Sequence, residues 1–230
     1  MVPFPRALIV VGVIFFLAPA SPLSPRPAVA DWIVNGDFED GNTGFSSDYA
    51  YVVPPGAENI LEGQYTVWTN PKEVHSKWTS MGDHTTGHGK MLLANGAGDS
   101  AAAVWRQEFP FSEGIIYEFS AWATSVYPTS PATLAFEVAG MPLGTLELTQ
   151  TVPDWRRFSA TFTAVTSGPG EFVIRDLSTV RVGNDFALDD ISLVIIPEPT
   201  TAFLLFLLGT SVLLGWRRPG GSPLRHGPSL

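Results

Sequence analysis

Apolar and polar residues alternate with a two-residue period through much of the middle of the chain. Ile115, Tyr117, Phe119 and Ala121 interleave with Ile116, Glu118, Ser120 and Trp122. Leu134, Phe136 and Val138 interleave with Ala135 and Glu137, and Phe158, Ala160 and Phe162 with Arg157, Ser159 and Thr161. In an extended chain this puts each set on its own face. Phe186 to Ile195 begins acidic and closes as an apolar run. Turn chemistry separates these stretches: Pro128-Thr129-Ser130-Pro131, Gly140-Met141-Pro142, Ser167-Gly168-Pro169-Gly170 and Gly183-Asn184-Asp185. No stretch of about twelve residues here holds the 3.6-residue period of a helix. The pattern predicts an all-β domain, an antiparallel sandwich or barrel, with long loops at 54–64 and 79–100. Trp105, Trp122 and Trp155 fall in strand patterns and read as core or inner-face residues.

The two ends break the pattern. Ala7 to Leu17 is uninterruptedly apolar behind Arg6, and Ala28-Val29-Ala30 precedes Asp31. A basic start, a short apolar run and a small-x-small site describe a signal peptide over residues 1–30, cut after Ala30. Eleven residues make about 16 Å of helix, too short to span a bilayer core of roughly 30 Å. Thr200 to Trp216 is uncharged, and Arg217-Arg218 follows it. Its length, about 25 Å as a helix, predicts one transmembrane helix over 200–216. The basic pair orients its C-terminus to the cytoplasm, with residues 219–230 as a short tail. A buried core helix is the other reading; the terminal position and the abrupt polarity switch argue against it.

Charge narrows the partners. The chain of 230 residues carries 22 Asp+Glu against 13 Lys+Arg and has no cysteine. All the acids lie between Asp31 and Glu198, with only eight of the bases, a balance of −14. Such a domain lacks the basic footprint nucleic acid requires. Without cysteine there is no disulfide framework, thiol nucleophile or thiolate metal site.

Two resemblances follow. Pro197-Glu198-Pro199, the apolar stretch and Arg217-Arg218, in that order over residues 196–218, resemble the PEP-CTERM sorting signal of exported bacterial proteins. The resemblance implies handling by an exosortase-like membrane transpeptidase, transient anchoring, and delivery to the cell surface or extracellular matrix. The twelve residues after the arginines are longer than such tails usually are. Within residues 31–195, Asn35-Gly36-Asp37-Phe38-Glu39 and Asn184-Asp185-Phe186-Ala187-Leu188-Asp189-Asp190-Ile191-Ser192-Leu193 resemble the first and last strands of the galactose-binding-like jelly roll. Gly82 to Met91 and Trp155-Arg156-Arg157-Phe158 sit where similar exported domains carry signatures. That fold, which includes many carbohydrate-binding modules, implies a jelly-roll β-sandwich but hosts many functions.

In such jelly rolls a structural calcium often ties the first strand to the last. Glu39 and Asp189 match its carboxylate positions, with Asp37, Asp185 and Asp190 as weaker alternatives. Calcium takes six to eight oxygens, which carboxylates from both chain ends would help supply. Asp189 also shares parity with Ile191 and Leu193, so an inward-facing carboxylate in need of a partner is expected. The opposing reading is ordinary turn and edge use of acids. Asp83-His84-x-x-x-His88 has metal-like spacing, but Thr85, Thr86 and Gly87 predict a loop that satisfies its own backbone.

Aromatics crowd residues 45–78. Tyr65, Trp68 and Trp78, with Asn70 and His75, could stack a sugar ring and bind its hydroxyls; packing in the core is the competing reading. Asn59, Glu62 and Gln64 add polar groups nearby. No catalytic motif is present. The expectation is an exported, non-catalytic binder of extracellular polysaccharide. A structural or adhesive matrix protein is the first alternative, and a polysaccharide hydrolase or lyase the second.

Overall fold

The computed structural model describes residues 30–54 and 59–197. The expected signal peptide up to residue 29, and Glu198, Pro199, Arg217, Arg218, the 200–216 helix and the tail, lie outside the described residues. No helix among the described residues is long and apolar enough to cross a membrane.

Among the described residues, ten strands form two facing sheets: β1 Ala50–Tyr51, β2 Gln64–Trp68, β3 Met91–Asn95, β4 Ala103–Phe111, β5 Ile116–Ser125, β6 Thr133–Val138, β7 Met141–Glu147, β8 Arg156–Thr163, β9 Gly168–Asp176 and β10 Phe186–Ile195. One sheet runs β1-β2-β3-β10-β5-β8 and the other β4-β9-β6-β7. Pairing is antiparallel except β1 with β2, which is parallel. The all-β sandwich expected from the alternation is therefore present, with one parallel edge pair. A short helix, α1 Pro71–Val74, interrupts it.

The sheets enclose an aromatic core. Phe119 stacks on Phe172 at 4.7 Å, and Phe136 on Phe158 at 3.8 Å. Trp105 is fully buried among them, as its strand position implied. A second, smaller apolar cluster lies outside the six-stranded sheet, formed by Ile60, Val74, Trp78, Met91, Leu93, Val126 and Ala187. Residues 69–90 and α1 fold back over that face. The expected 79–100 loop therefore contains β3, whose five residues are all buried because both of its faces are covered.

Two glycine-rich stretches differ from expectation. Gly168-Pro169-Gly170, expected as a turn, begins β9 and pairs with Phe111, Pro110 and Phe109. The ring of Phe111 packs against Gly170, where an added Cβ would lie 2.4 Å from it. The β6–β7 turn is Ala139-Gly140, both at positive φ (48° and 76°), the geometry of a tight hairpin, so Met141 and Pro142 already belong to β7.

The chain ends are joined by backbone. Trp32 N donates to Leu193 O (2.9 Å) and Ile191 N to Gly36 O (2.9 Å). Asp31 Oδ1 accepts from Leu193 N (3.0 Å). Gly36 is required there, since a Cβ would meet Ile191 O at 1.9 Å. β10 starts beside Asp185 and ends where Ile196 N donates to Ile116 O, at the opposite pole of the sandwich.

Candidate functional site

β10 contains a bulge that decides which side chains reach the outer face. Asp189 pairs with Trp122 of β5 and Ser192 with Ser120, so Asp190 and Ile191 together oppose Ala121. Asp190 takes φ 46°, a left-handed conformation. Asp189 therefore shares the face of Trp122 and Ser192, not that of Ile191 and Leu193. This corrects the parity expected for Asp189: it is fully buried, but beneath the 82–90 segment on the outside of the sheet.

Around it the outer face is built in rows. Asp189, Trp122 and Arg157 lie side by side, then Ser192, Ser120 and Ser159, then Val194, Glu118 and Thr161. Glu118 accepts from Arg157 (2.8 Å) and Ser159 (2.7 Å), which hold its carboxyl below the usual range against a smaller effect of burial. His84 lies over Trp122 with ring centroids 3.8 Å apart, and Trp155 meets His84 edge-on at 5.6 Å. Asp190 Oδ2 fixes the imidazole through its Nδ1 at 2.6 Å, and Asp190 Oδ1 accepts from Thr85 Oγ1 at 2.6 Å. His84, Trp122, Trp155 and Asp190 are all half-buried, while Arg157 and Ser159 are exposed. The result is an aromatic shelf edged by charged and hydroxyl groups.

Trp122 and Trp155 thus lie half-buried on the outer face, Trp155 against the smaller apolar cluster, and are not the core or inner-face residues the strand patterns suggested; they are the candidate-site residues that sequence reasoning missed. The signal existed: alternation places Trp122 with Glu118 and Ser120, opposite Phe119.

The five residues expected to bind sugar do not converge. Tyr65 is buried and donates to Asn42 Oδ1 at 2.7 Å. Trp78 is 1% exposed, and its indole N–H donates to Asp185 at 2.7 Å, so its faces are core. Trp68 is half-buried and bonds Glu73 at 2.7 Å. Asn70 caps α1 by accepting from Lys72 N at 3.0 Å. It lines, with Glu73, Ser80 and His88, an open hollow of about 400 Å³. His75 ends α1, stacks on Trp78, and opens into a separate cleft of about 200 Å³ with Glu62, Lys77, Tyr127, Arg181 and Asp185. Burial, then Lys77 and Lys72, lower the His75 pKa, and burial raises that of Asp185. Asn59 and Gln64 bind backbone N–H groups of Ser76 and Leu61.

The 82–90 segment satisfies its own backbone only in part: Asp83 and Thr86 serve its second half, while His84 N and Thr85 N bond Asp189 of β10 and Lys90 N bonds Glu39. Asp83 accepts from Thr86 N and Gly89 N, each at 2.7 Å. Burial opposes these bonds, which leave its carboxyl below the ordinary value. His88 is exposed, while His84 turns away to Asp190.

For calcium, the donor chemistry can be tested directly. Glu39 Oε1 accepts from Lys90 N at 2.6 Å, and Glu39 O accepts from Lys90 Nζ at 2.7 Å. Asp189 Oδ2 accepts from His84 N (2.8 Å), Thr85 N and Thr85 Oγ1 (both 3.2 Å), and Oδ1 from Asp190 N (2.9 Å). Glu39 and Asp189 each face protein donors, and among the described residues no three His, Asp or Glu side chains are arranged to hold a metal. The residues present do not fit the ion. Of the weaker alternatives, Asp37 bonds Glu39 N, Asp185 bonds Trp78, and Asp190 bonds His84 and Thr85.

No family model matches the chain, and no curated protein matches it by sequence. Among solved structures, a Stig cyclase from Fischerella sp. TAU is 12% identical with a TM-score of 0.50, over 74% of this chain and 99% of that one. The CBM22-1 xylan-binding domain of Paenibacillus barcinonensis Xyn10C is 12% identical, TM-score 0.44, over 70% and 92%. The sugar-binding EclA C-terminal domain is 18% identical, TM-score 0.36, over 40% of this chain and 66% of that one, just under two thirds of its length. At these identities the likeness concerns the two-sheet architecture alone.

Proposed function

We propose that this protein is an exported, non-catalytic module that binds extracellular polysaccharide on the outer face of its six-stranded sheet. The observation that carries the reading is the shelf formed by His84 stacked on Trp122, with Trp155 at its side. A pyranose presents a C–H face that packs on flat aromatic surface, and hydroxyls that need directed polar partners. Arg157, Ser159, Asp190 and Thr85 stand within the same patch and supply both donors and acceptors. Export follows from the signal-peptide pattern ending at Ala30. Surface delivery, with an exosortase-like transpeptidase as processing partner and the 200–216 helix as transient membrane anchor, follows from Pro197-Glu198-Pro199 and Arg217-Arg218.

A glycan array followed by titration calorimetry tests the binding reading. Expected is binding to at least one polysaccharide that Trp155→Ala weakens at least about tenfold, roughly 1.4 kcal/mol. No binding to any glycan would leave the adhesive matrix alternative.

One observation favours a polysaccharide hydrolase or lyase as second reading. Asp190 engages His84 Nδ1 and leaves Nε2 for proton transfer, the arrangement of an oriented base. Release of new reducing or unsaturated ends from a bound polysaccharide would select it.

A further inference from the structure

We propose that the ammonium group of Lys90 serves as the internal cation of the corner where the amino-terminal turn meets the sheet, so that this domain keeps its fold without calcium. The corner is acidic. Asp31, Asp37 and Asp190 line one hollow between the first turn and β10. Glu39 and Asp83 converge on Gly89, where a Cβ would lie 2.1 Å from Glu39 Oε1 and 3.0 Å from Asp83 Oδ2. Between Trp78 and Arg106 the sequence offers one Lys or Arg, and it is Lys90.

Lys90 grips Glu39 twice. Its backbone N–H holds the carboxylate, and its ammonium reaches the main-chain carbonyl of the same residue. A backbone carbonyl and a carboxylate from one residue are oxygens a calcium ion would take. Here an N–H and an –NH₃⁺ from Lys90, the residue just before β3, take them instead. An ammonium supplies one positive charge and three directed donors, needs no dehydration of a divalent ion, and is attached to the chain. A second cation bonded to Glu39 O would stand against the ammonium already 2.7 Å from that oxygen, and like charges that close repel. Gly89 makes the approach possible, since any side chain there would drive Glu39 away. The remaining task of a bridging ion, joining the first segment to the last strand, is already done by Trp32 N to Leu193 O, Ile191 N to Gly36 O and Leu193 N to Asp31. Asp189, the partner carboxylate, is held by four donors of its own.

The test is thermal unfolding of the full chain in mild detergent, followed by tryptophan fluorescence, with a chelator and with millimolar calcium. The wild type is expected to show the same Tm in both. Lys90→Met, which keeps the aliphatic stem and removes the charge, is expected to lower Tm by about 2–4 °C or more. A wild-type Tm that falls with chelation or rises with calcium by several degrees would overturn the proposal, as would an unchanged Tm in Lys90→Met. Calorimetric titration of the wild type with calcium alone, expected to show no binding at millimolar concentration, decides the matter even if Lys90→Met does not fold; a saturable site would refute it.

Discussion

Asp176, at the end of β9, is fully buried. Its Oδ1 accepts from Ser178 N at 2.9 Å and its Oδ2 from Asn184 Nδ2 at 2.8 Å. Burial outweighs these bonds and pushes its carboxyl up to about 6, with the nearby Asp185 adding to the rise. In the unfolded chain the same group releases its proton near 3.8. Between those values the folded state binds more protons than the unfolded one, so stability falls as pH rises through the window. Moving a carboxyl that far corresponds to about 3 kcal/mol, at roughly 1.36 kcal/mol per tenfold in proton affinity. This contribution is fully present below pH 3.8 and gone above about pH 6. Out of a typical total of about 5–15 kcal/mol, that is a large share.

The perturbation is Asp176→Asn, which stays neutral throughout. The assay is urea unfolding at intervals from pH 4.5 to 7.5, comparing the slopes of stability against pH. Asp185 is shifted in the same direction by burial, and burial pushes Asp189 up to about 7, so the variant keeps much of the decline and loses the share that belongs to Asp176. Relative to wild type it should gain about 2 kcal/mol across the window, roughly two thirds of the full amount because the window starts above 3.8. Parallel slopes for the two proteins, or a wild-type stability that climbs with pH over this range, would refute the reasoning.

Other outcomes follow from single contacts. Phe136→Ala removes a ring stacked on Phe158 at 3.8 Å in a fully buried position and should cost about 3–5 kcal/mol in denaturant unfolding. Gly36→Ala forces a Cβ within 1.9 Å of Ile191 O. It should cost more than the roughly 1–3 kcal/mol of ordinary overpacking, read as a lowered Tm. Trp122→Ala should reduce glycan affinity at least about tenfold in calorimetry, with Trp68→Ala, bonded to Glu73 outside the shelf, leaving it within about twofold.

Much of the sandwich could be read from alternation because β5, β6 and β8 each turn one face to the aromatic core and the other toward polar surroundings. β3 escaped the same reading: Met-Leu-Leu-Ala-Asn has apolar neighbours on both sides, which erases any period. β9 was hidden by Gly168 and Gly170: the first takes a φ of 139° within the strand, and the small size of the second accommodates the Phe111 ring rather than a turn. The site was harder still. A one-residue bulge at Asp190 moved Asp189 to the other face, and bulges leave no periodic trace in sequence. Tyr65 and Trp78 looked available because aromatic type does not reveal burial. Trp122 had the correct parity, but only the fold shows that His84 crosses more than thirty positions of sequence to lie on it.

The ten residues of β10 run from the cleft beside Asp185 to the chain's departure at Pro197, a length of about 33 Å. The strand therefore fixes the spacing between that cleft and Pro197, and Asp189 sets the shelf at Trp122 between the two, on the flank of the sandwich. A polymer running along this flank from one pole to the other would cross the shelf midway, without having to enter either rim.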